Sequence, residues 1–489
     1  MRTIFIGCHL KKFADEQPNK VAIYEENNQI TYKMFYDNVQ QYKQQLFAKA
    51  NGSTRQKVAL LIGNESTFLE IYFAIITLGW VAIPFDPKWS KREAVRIMED
   101  AEVDIIITNK QFNKLANYTF SNAIVLSTLQ QPTKKEIDSK VDESNLFYLG
   151  FTSGSTGYPK GFIRTHGSWL TSFTVGENTF SYGTDDIIMA PGPLCHSLSL
   201  FGATHALHIG ASFYITPTFS AAKTVELIEN GKVTVVYAVP TMLNSLAKQK
   251  TTIRSNVTFL SSGAKLLPQI KEDLQTMFPN SILFEYYGAS ELSFATYSTT
   301  AISNTYPNSV GKPFPNVVIT IRDNDGNILP LGEIGSIFIE SPYLFSGYVN
   351  NSEATKEVLT KYGATIGDLG FLNEEGILTI VGRKNNMIIT GGQNVYPEEV
   401  EKVMKDLPFV KEAVVIGISH LHWGEQVIAL IEWQEENSDN LKRLKVHCRE
   451  HLAIYKRPRK YYVVQNLPYT PTGKIARKEI VQHISRWTQ

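Results

Sequence analysis

Short apolar runs rich in β-branched residues alternate with longer stretches of helical periodicity as far as about Pro313. In residues 66–78 and 91–101 the apolar side chains recur three and four positions apart, which is typical of amphipathic helices. This alternation predicts parallel β-sheets that are covered by helices, and hence an α/β fold. The runs predicted to be strands are residues 58–62, 81–84, 103–108, 233–237 and 257–260.

Beyond Pro313 the pattern changes to short strands separated by turns rich in Asn, Asp and Gly, as at residues 317–322 and 335–340. These strands predict a small β-barrel-like or antiparallel-sheet subdomain over about 313–383. A compact α+β segment follows, with helices predicted at 397–405 and 440–451 and a strand at 413–418. We therefore expect an N-terminal domain of residues 1–383 and a smaller C-terminal domain of residues 384–489, with the boundary at Arg383–Asn386.

Length and charge restrict the class of protein. A chain of 489 residues is too long for one hydrophobic core, so several domains or subdomains are expected. A formal net charge of +1 gives no reason to expect a nucleic acid or a membrane surface as a partner. No run approaches the roughly 18 apolar residues of a membrane-spanning helix, so no integral membrane segment is predicted. The cysteines Cys8, Cys195 and Cys448 lie far apart, which favours a reducing, cytoplasmic location.

The segment of residues 148–161, Tyr-Leu-Gly-Phe-Thr-Ser-Gly-Ser-Thr-Gly-Tyr-Pro-Lys-Gly, has the composition of a phosphate-binding loop. Glycines allow the backbone to approach an anion, hydroxyls and amides donate hydrogen bonds, and the lysine supplies a positive charge. The loop is not of the Walker type, because no Gly-Lys-Ser/Thr runs into a helix. Taken alone, an ordinary flexible loop has a similar composition. The candidate phosphate-binding residues are Thr152, Ser153, Gly154, Ser155, Thr156, Gly157 and Lys160.

Further motifs follow in a fixed order: Tyr-Tyr-Gly-Ala-Ser-Glu at 286–291, Gly-Asp-Leu-Gly at 367–370, Gly-Arg-Lys-Asn-Asn from 382 and Pro-Thr-Gly-Lys at 471–474. Together with the loop they resemble the signatures of the acyl-adenylate-forming (AMP-binding) superfamily, in its acyl-CoA synthetase branch. The resemblance extends over nearly the whole chain. It implies a two-step reaction with ATP, Mg²⁺ and coenzyme A, in which the C-terminal domain rotates between the steps.

The resemblance also implies roles in nucleotide binding. Glu291 would hold Mg²⁺ as its metal ligand, because this hard cation prefers oxygen ligands. Ser290, which stands where the family usually has threonine, would donate to the α-phosphate. Tyr287 and Gly288 would lie beside the adenine.

Three residues nearer the C-terminus are implied to contact the nucleotide. Asp368 is suited to accept hydrogen bonds from two ribose hydroxyls, since an ionised carboxylate only accepts. Arg383 would reach the same ribose. Lys474 would neutralise the α-phosphate and the carboxylate during adenylation, and is therefore the candidate catalytic lysine.

The acid and the thiol are expected to meet near His196, in the segment Pro-Leu-Cys-His-Ser of residues 193–197. By resemblance His196 stands between the carboxylate and the thiol, Gly263 and Ala264 give access to the adenine or acyl group, and Gly391 and Gly392 form the thiol tunnel. Residues 197–209 contain no acidic side chain, which disfavours an amino-acid substrate.

Adjacent side chains alternate along an extended chain, so we expect Cys195 and His196 to be a poor nucleophile–base pair.

The sequence thus predicts an ATP-dependent acid–CoA ligase for a medium- or long-chain fatty acid or an aryl acid. One alternative is a stand-alone adenylation enzyme that loads the phosphopantetheine of an acyl-carrier protein. A second is a nucleotide-binding protein without catalysis, motivated by Asn385 at a hinge position where the family usually has Asp or Lys. A homodimer is compatible with the sequence.

Overall fold

The computed structural model describes residues 4–53, 55–89, 91–109, 111–112, 123–125, 137, 140–152, 160–249, 251–390, 393–420, 424–470 and 474–487. Their α-helices are Leu10–Glu16 (α1), Tyr32–Lys49 (α2), Ser66–Thr77 (α3), Lys91–Ala101 (α4), His166–Phe180 (α5), Ser197–Ile209 (α6), Ala221–Glu229 (α7), Pro240–Ala247 (α8), Pro268–Met277 (α9), Thr300–Thr305 (α10), Ser352–Val358 (α11), Pro397–Lys405 (α12), Asn440–His451 (α13) and Arg477–Gln482 (α14). Among these helices, none combines the length and the apolar character that a membrane crossing requires.

The strands of the described residues are Val21–Tyr24 (β1), Gln29–Thr31 (β2), Lys57–Leu61 (β3), Val81–Pro84 (β4), Ile105–Thr108 (β5), Ala123–Val125 (β6), Leu146–Thr152 (β7), Lys160–Thr165 (β8), Ile187–Met189 (β9), Ser212–Tyr214 (β10), Val235–Ala238 (β11), Thr258–Ser261 (β12), Ile282–Ala289 (β13), Ser293–Thr299 (β14), Lys312–Pro313 (β15), Val318–Arg322 (β16), Gly335–Glu340 (β17), Gly347–Tyr348 (β18), Leu359–Thr360 (β19), Gly363–Ala364 (β20), Asp368–Leu372 (β21), Leu378–Arg383 (β22), Ile388–Thr390 (β23), Gln393–Val395 (β24), Val410–His420 (β25), Gly424–Trp433 (β26) and Lys460–Val463 (β27).

Residue contacts divide the chain into two compact units. The large unit comprises residues 1–319 and 339–364, and the small unit comprises residues 320–338 and 365–489. The small unit therefore includes the hairpin of β21 and β22 together with everything that follows it. The domain boundary expected at Arg383–Asn386 stays a prediction.

Two sheets form the centre of the large unit. One has the strand order β15-β14-β13-β12-β11-β9-β10-β1-β2, in which the six strands from β13 to β1 are parallel. The other has the order β18-β8-β7-β4-β3-β5-β6, in which the five strands from β7 to β6 are parallel. Both sheets confirm the predicted α/β fold.

Parallel strands that are buried on both faces read as continuous apolar runs, and the strands of these sheets do so. Val236 in β11 and Phe259 in β12 are completely buried in one hydrophobic cluster, and Ile83 in β4 and Ile106 in β5 are completely buried in another. The five strands predicted from the sequence are present, each with bounds shifted by no more than two residues. The same holds for the helices predicted at 66–78 and 91–101.

The small unit contains the antiparallel hairpin of β21 and β22, to which Gly335 and Ser336 of β17 add by pairing with Gly370 and Leu369. It also contains a five-stranded sheet in the order β24-β23-β26-β25, with β27 parallel to β26. Helices α12 and α13 share a buried core with this sheet. The predicted short antiparallel strands and the α+β segment are confirmed.

Candidate active site

The residues singled out in the large unit follow the carboxyl ends of parallel strands. Thr152 ends β7, His196 follows β9, Gly263 follows β12 and Glu291 follows β13. In open α/β sheets, ligands bind outside the carboxyl ends of the strands, because loops from neighbouring strands meet there. The topology alone therefore brings these four residues to one kind of location.

Side-chain contacts join the two sheets at these ends. The hydroxyl of Tyr148, in β7, lies 3.2 Å from Oγ of Ser197, and that atom lies 3.5 Å from Oγ of Ser290. Nε2 of His196 lies 3.7 Å from Oδ2 of Asp86, which comes directly after β4. Ser197, at the start of α6, thus connects the segment of His196 to the motif of Ser290, a link that sequence reasoning missed.

The predicted phosphate loop is bracketed by a hairpin. Strands β7 and β8 are antiparallel, and Thr152 pairs with Lys160 at their ends. Nζ of Lys160 lies 5.4 Å from the centre of the Tyr348 ring. The loop residues Ser153, Gly154, Ser155, Thr156 and Gly157 lie outside the described residues, so their predicted role stays a prediction.

The motif of residues 286–291 runs from β13 into a tight turn before β14. A Cβ atom at Gly288 would lie only 1.8 Å from the carbonyl oxygen of Ser293, so no other residue fits there without backbone movement. The register shifts between Tyr287 and Gly288, which marks a bulge at the entry to the turn. Gly288 therefore sets the path of Ser290 and Glu291.

Glu291 is held at both its backbone and its side chain. Its carbonyl oxygen accepts a hydrogen bond from the amide of Phe345 at 2.9 Å, and its Oε1 accepts one from the hydroxyl of Tyr348 at 2.6 Å. Burial and the charge of Glu291 raise the pKa of Tyr348, so this hydroxyl stays a donor. A fixed carboxylate, 8% exposed, at the edge of a predicted phosphate site has the donor chemistry that Mg²⁺ prefers.

Arg164, in β8, is a second residue that sequence reasoning missed. It is 2% exposed, and its guanidinium donates to the carbonyl oxygens of Ser290, at 2.5 Å, and of Tyr343. Burial lowers the pKa of Arg164 to about 10, against the opposing effect of the charge on Glu291, so the side chain remains a cation at neutral pH. The alternation of side chains along the strand could have indicated that Arg164 is buried, because it shares a face with the buried Phe162.

His196 lies at the N-terminal end of α6, with 41% of its side chain exposed. Burial lowers its pKa, with Asp86 opposing, which favours the neutral imidazole. The side chains of Cys195 and His196 do not alternate as on an extended chain, since their ligand atoms and a carboxylate oxygen of Asp86 lie within 4.8 Å of one another. That they are a poor nucleophile–base pair stays a prediction. The chain turns here, with the amide of His196 bonded to the carbonyl of Pro193. Burial raises the pKa of the Cys195 thiol, so a thiolate nucleophile is disfavoured.

The segment after β12 is open to solvent. Gly263 has φ +95, in the left-handed region that favours glycine, and Ala264 is exposed. Ser262 anchors the segment, since its hydroxyl donates to the carbonyl of Tyr286 at 3.1 Å. This hydrogen bond connects the segment to β13, the strand that carries Tyr287.

In the small unit, Asp368 and Arg383 lie opposite each other on β21 and β22. Nε of Arg383 donates to Oδ1 of Asp368 at 2.9 Å. The carboxylate is 4% exposed, whereas 56% of the arginine side chain is exposed. The pair therefore presents a fixed acceptor beside an accessible donor, which is chemistry suited to vicinal hydroxyls.

The candidate lysine and the predicted hinge also belong to the small unit. Lys474 is exposed, and its backbone closes a turn with Thr470 through two hydrogen bonds. Residues Lys384–Asn386 form a short 3₁₀ helix, and Asn386 donates to Oε1 of Glu398 at 2.7 Å. Gly391 and Gly392 lie outside the described residues, as do residues 471–473.

Comparison with protein families gives two matches. The family described as AMP-binding enzyme matches residues 10–349, and the family described as AMP-binding enzyme C-terminal domain matches residues 399–474. A curated acyl–CoA ligase of Bacillus subtilis strain 168, uncharacterized, is 38% identical and covers 97% of this chain and 98% of its own length. A putative long-chain fatty acid–CoA ligase of Staphylococcus epidermidis is 30% identical, covering 96% of this chain and 97% of its own length.

Among solved structures, o-succinylbenzoate CoA synthetase of Bacillus subtilis is similar over its whole length. Its complex with the acyl-adenylate intermediate has a TM-score of 0.90 and 26% identity, covering 98% of each chain. Its complex with ATP and a magnesium ion has a TM-score of 0.88 and covers 97% of this chain and 98% of that one.

Proposed function

Because the chain belongs to the AMP-binding enzyme family, we propose that it is an ATP-dependent acid–CoA ligase that acts through an acyl-adenylate. The observation that carries the proposal is the convergence of the Thr152–Lys160 hairpin end, the Ser290–Glu291 turn and His196 at the carboxyl ends of two sheets. The putative long-chain fatty acid–CoA ligase and the o-succinylbenzoate CoA synthetase to which the chain is similar support the same reaction class.

In the first step, a carboxylate oxygen of the acid attacks the α-phosphorus of ATP, and the bond to the β-phosphate oxygen breaks to release pyrophosphate. Negative charge accumulates on the phosphates, so donors and cations aimed at them lower the barrier. We assign the β- and γ-phosphates to the loop of residues 152–157 with Lys160, and the α-phosphate to Ser290. Mg²⁺, held by Glu291, would supply further charge neutralisation when bound.

The nucleoside is assigned on the family resemblance of the residues. Asp368 would accept from the two ribose hydroxyls, and its hydrogen bond from Arg383 fixes the orientation of the carboxylate. Tyr287, Gly288, Gly263 and Ala264 would surround the adenine. Gly263 and Ala264 are exposed, so a flat ring would have access to this segment of main chain.

Lys474 is assigned to the adenylation step, where an ammonium neutralises the α-phosphate and the carboxylate as they approach. In the second step the thiol of coenzyme A attacks the acyl carbonyl, and AMP leaves. We propose that residues 384–489 rotate about the hinge at Arg383–Asn386 between the two steps, which removes Lys474 and brings Gly391 and Gly392 to the thiol. His196, neutral at its lowered pKa, would stand between the two substrates.

The substrate acid is proposed to be a medium- or long-chain fatty acid or an aryl acid. The helix that follows His196 contains no acidic side chain, so nothing on it would pair with the ammonium of an amino acid. The similar proteins include a putative long-chain fatty acid–CoA ligase and an o-succinylbenzoate CoA synthetase. We also propose a cytoplasmic location, on the spacing of the three cysteines. An acyl-carrier protein as a second thiol acceptor and a homodimer are further proposals.

The test is release of pyrophosphate from ATP with a panel of carboxylic acids, followed by thioester formation with coenzyme A and, separately, with a holo-carrier protein. We expect acid-dependent release with fatty or aryl acids and a thioester with coenzyme A. Binding of ATP without pyrophosphate release for any acid would overturn the proposal. Thioester formation with the carrier protein but not with coenzyme A would show that the carrier protein is the thiol acceptor.

A further inference from the structure

Arg164 is a permanent cation in the interior of the large unit. Arg164 is 2% exposed, and Phe162, on the same face of the strand, is 1% exposed. Burial of a charge is unfavourable unless hydrogen bonds and opposite charge compensate it, so such a residue usually holds something specific. Its position one residue before Thr165, the N-cap of α5, gives no reason of its own for an arginine.

The two arms of the guanidinium hold two separate chain segments. One arm donates to the carbonyl oxygen of Ser290, in the turn after β13, and the other donates to the carbonyl oxygen of Tyr343. The segment that begins at Tyr343 returns to the same turn, because Phe345 donates to the carbonyl of Glu291 and Tyr348 to its carboxylate. Arg164 therefore closes a network that fixes Glu291 from both sides.

We propose that Arg164 is a positioning residue for the Mg²⁺·ATP site, which it serves by fixing the backbone of Ser290 and the carboxylate of Glu291. This inference rests on the proposed function, because it takes Ser290 and Glu291 as phosphate and metal residues. Arg164 itself contacts no reacting atom. It acts through the turn, so its loss displaces two groups that must be aligned together.

Arginine is suited to this task for a geometric reason. Its planar fork carries five N–H donors and no acceptor, so it can bind two carbonyl oxygens of different segments at once. Lysine keeps the charge but offers a single ammonium on a flexible stem. Arg164→Lys therefore separates the two contributions, since it retains the cation beside Glu291 and loses the two-armed connection.

The experiment compares Arg164→Met and Arg164→Lys with the wild type and with Arg96→Met. Arg96 lies in α4 of the same unit, in an exposed ion pair with Asp100, so its replacement controls for the exchange itself. The first readout is the rise in melting temperature caused by ATP, titrated with Mg²⁺ and repeated in EDTA. The second is the Mg²⁺ dependence of kcat and KM for pyrophosphate release.

We expect the Mg²⁺ concentration for half-maximal effect to rise about tenfold or more in both Arg164 variants, as loss of charge-assisted hydrogen bonds implies. ATP binding in EDTA should also weaken in both Arg164 variants, because the backbone of Ser290 is displaced, and Tyr348→Phe should shift the Mg²⁺ dependence in the same direction. A folded Arg164→Lys protein whose Mg²⁺ dependence and kcat lie within twofold of the wild type would overturn the proposal, even where Arg164→Met fails to fold. If the wild type releases no pyrophosphate, the ligase proposal fails, and the Mg²⁺-dependent ATP stabilisation still decides the role of Arg164.

Discussion

Replacement of Gly288 by alanine tests whether the turn before Glu291 is as tightly determined as its geometry indicates. The added Cβ would lie 1.8 Å from the carbonyl oxygen of Ser293, and real Cβ atoms essentially never come within 3.0 Å of a neighbour. Strands β13 and β14 must therefore separate locally by about 1.2 Å. Overpacking of this kind costs about 1–3 kcal/mol of stability, which a chain of this size tolerates. A displacement of about 1 Å at reacting groups lowers rates by about 100-fold.

We therefore expect folded Gly288→Ala protein with kcat for pyrophosphate release lowered by about 100-fold. The assay is coupled pyrophosphate detection at saturating ATP and acid, with melting curves recorded on the same samples. Gly183→Ala is the matched control, because a Cβ there meets nothing within 4 Å and its backbone angle is not positive. A Gly288→Ala enzyme with kcat within threefold of the control would refute the reasoning that the turn positions Ser290 and Glu291.

Three further predictions concern other parts of the chain. Lys474→Ala should abolish acyl-AMP formation while sparing thioester formation from supplied acyl-AMP; equal loss of both half-reactions would count against its assignment. Asp368→Asn should weaken AMP binding by about tenfold or more in calorimetry, since hydrogen bonds to a charged group are lost, and unchanged affinity would contradict the ribose assignment. Burial lowers the pKa of His208 to about 3 from 6.5, so the unfolded state binds more protons and stability falls as pH falls through this window. His208→Asn keeps an acceptor for the amide of Gly7. Between pH 7 and pH 5 the free energy of unfolding of this variant, measured in urea, should fall by about 2 kcal/mol less than that of the wild type. An equal fall in both proteins would exclude His208 as the origin.

The local periodicity of the chain was sufficient to predict the type and approximate bounds of several of its helices and strands. Helices α12 and α13 have the predicted bounds, because Pro397 begins the first and apolar residues recur at helical spacing in both. Strand β25 extends beyond the predicted residues 413–418, to Val410–His420. Except for Val410, the added residues are polar, and their pairing with β26 is a contact between strands that local periodicity does not encode.

The site could be predicted only where a motif is contiguous in sequence. Residues 286–291 form such a motif, so Ser290 and Glu291 were found from their own neighbours. The partners that hold them, Arg164 and Tyr348, are contributed by distant strands. Strand alternation indicates that Arg164 faces inward, but no local pattern specifies which carbonyl groups an inward guanidinium will meet. Asp86 and Ser197 were missed for the same reason, since each contacts a residue that the other sheet positions, His196 and Tyr148 respectively.

On the proposed placement of the acid beside His196, helix α6, which begins immediately after that residue, would restrict how the preference for the acid can change. Every residue from Ser199 to His208 is buried, and a methyl group added at Gly202 would lie 3.2 Å from both Ala190 and the ring of Tyr237. A larger side chain at Gly202 would therefore require a compensating substitution at Tyr237 on β11 or at Ala190 after β9. Divergence of substrate preference would then proceed through paired replacements, and libraries that vary α6 together with Tyr237 should yield more folded variants of altered preference than libraries that vary either one alone.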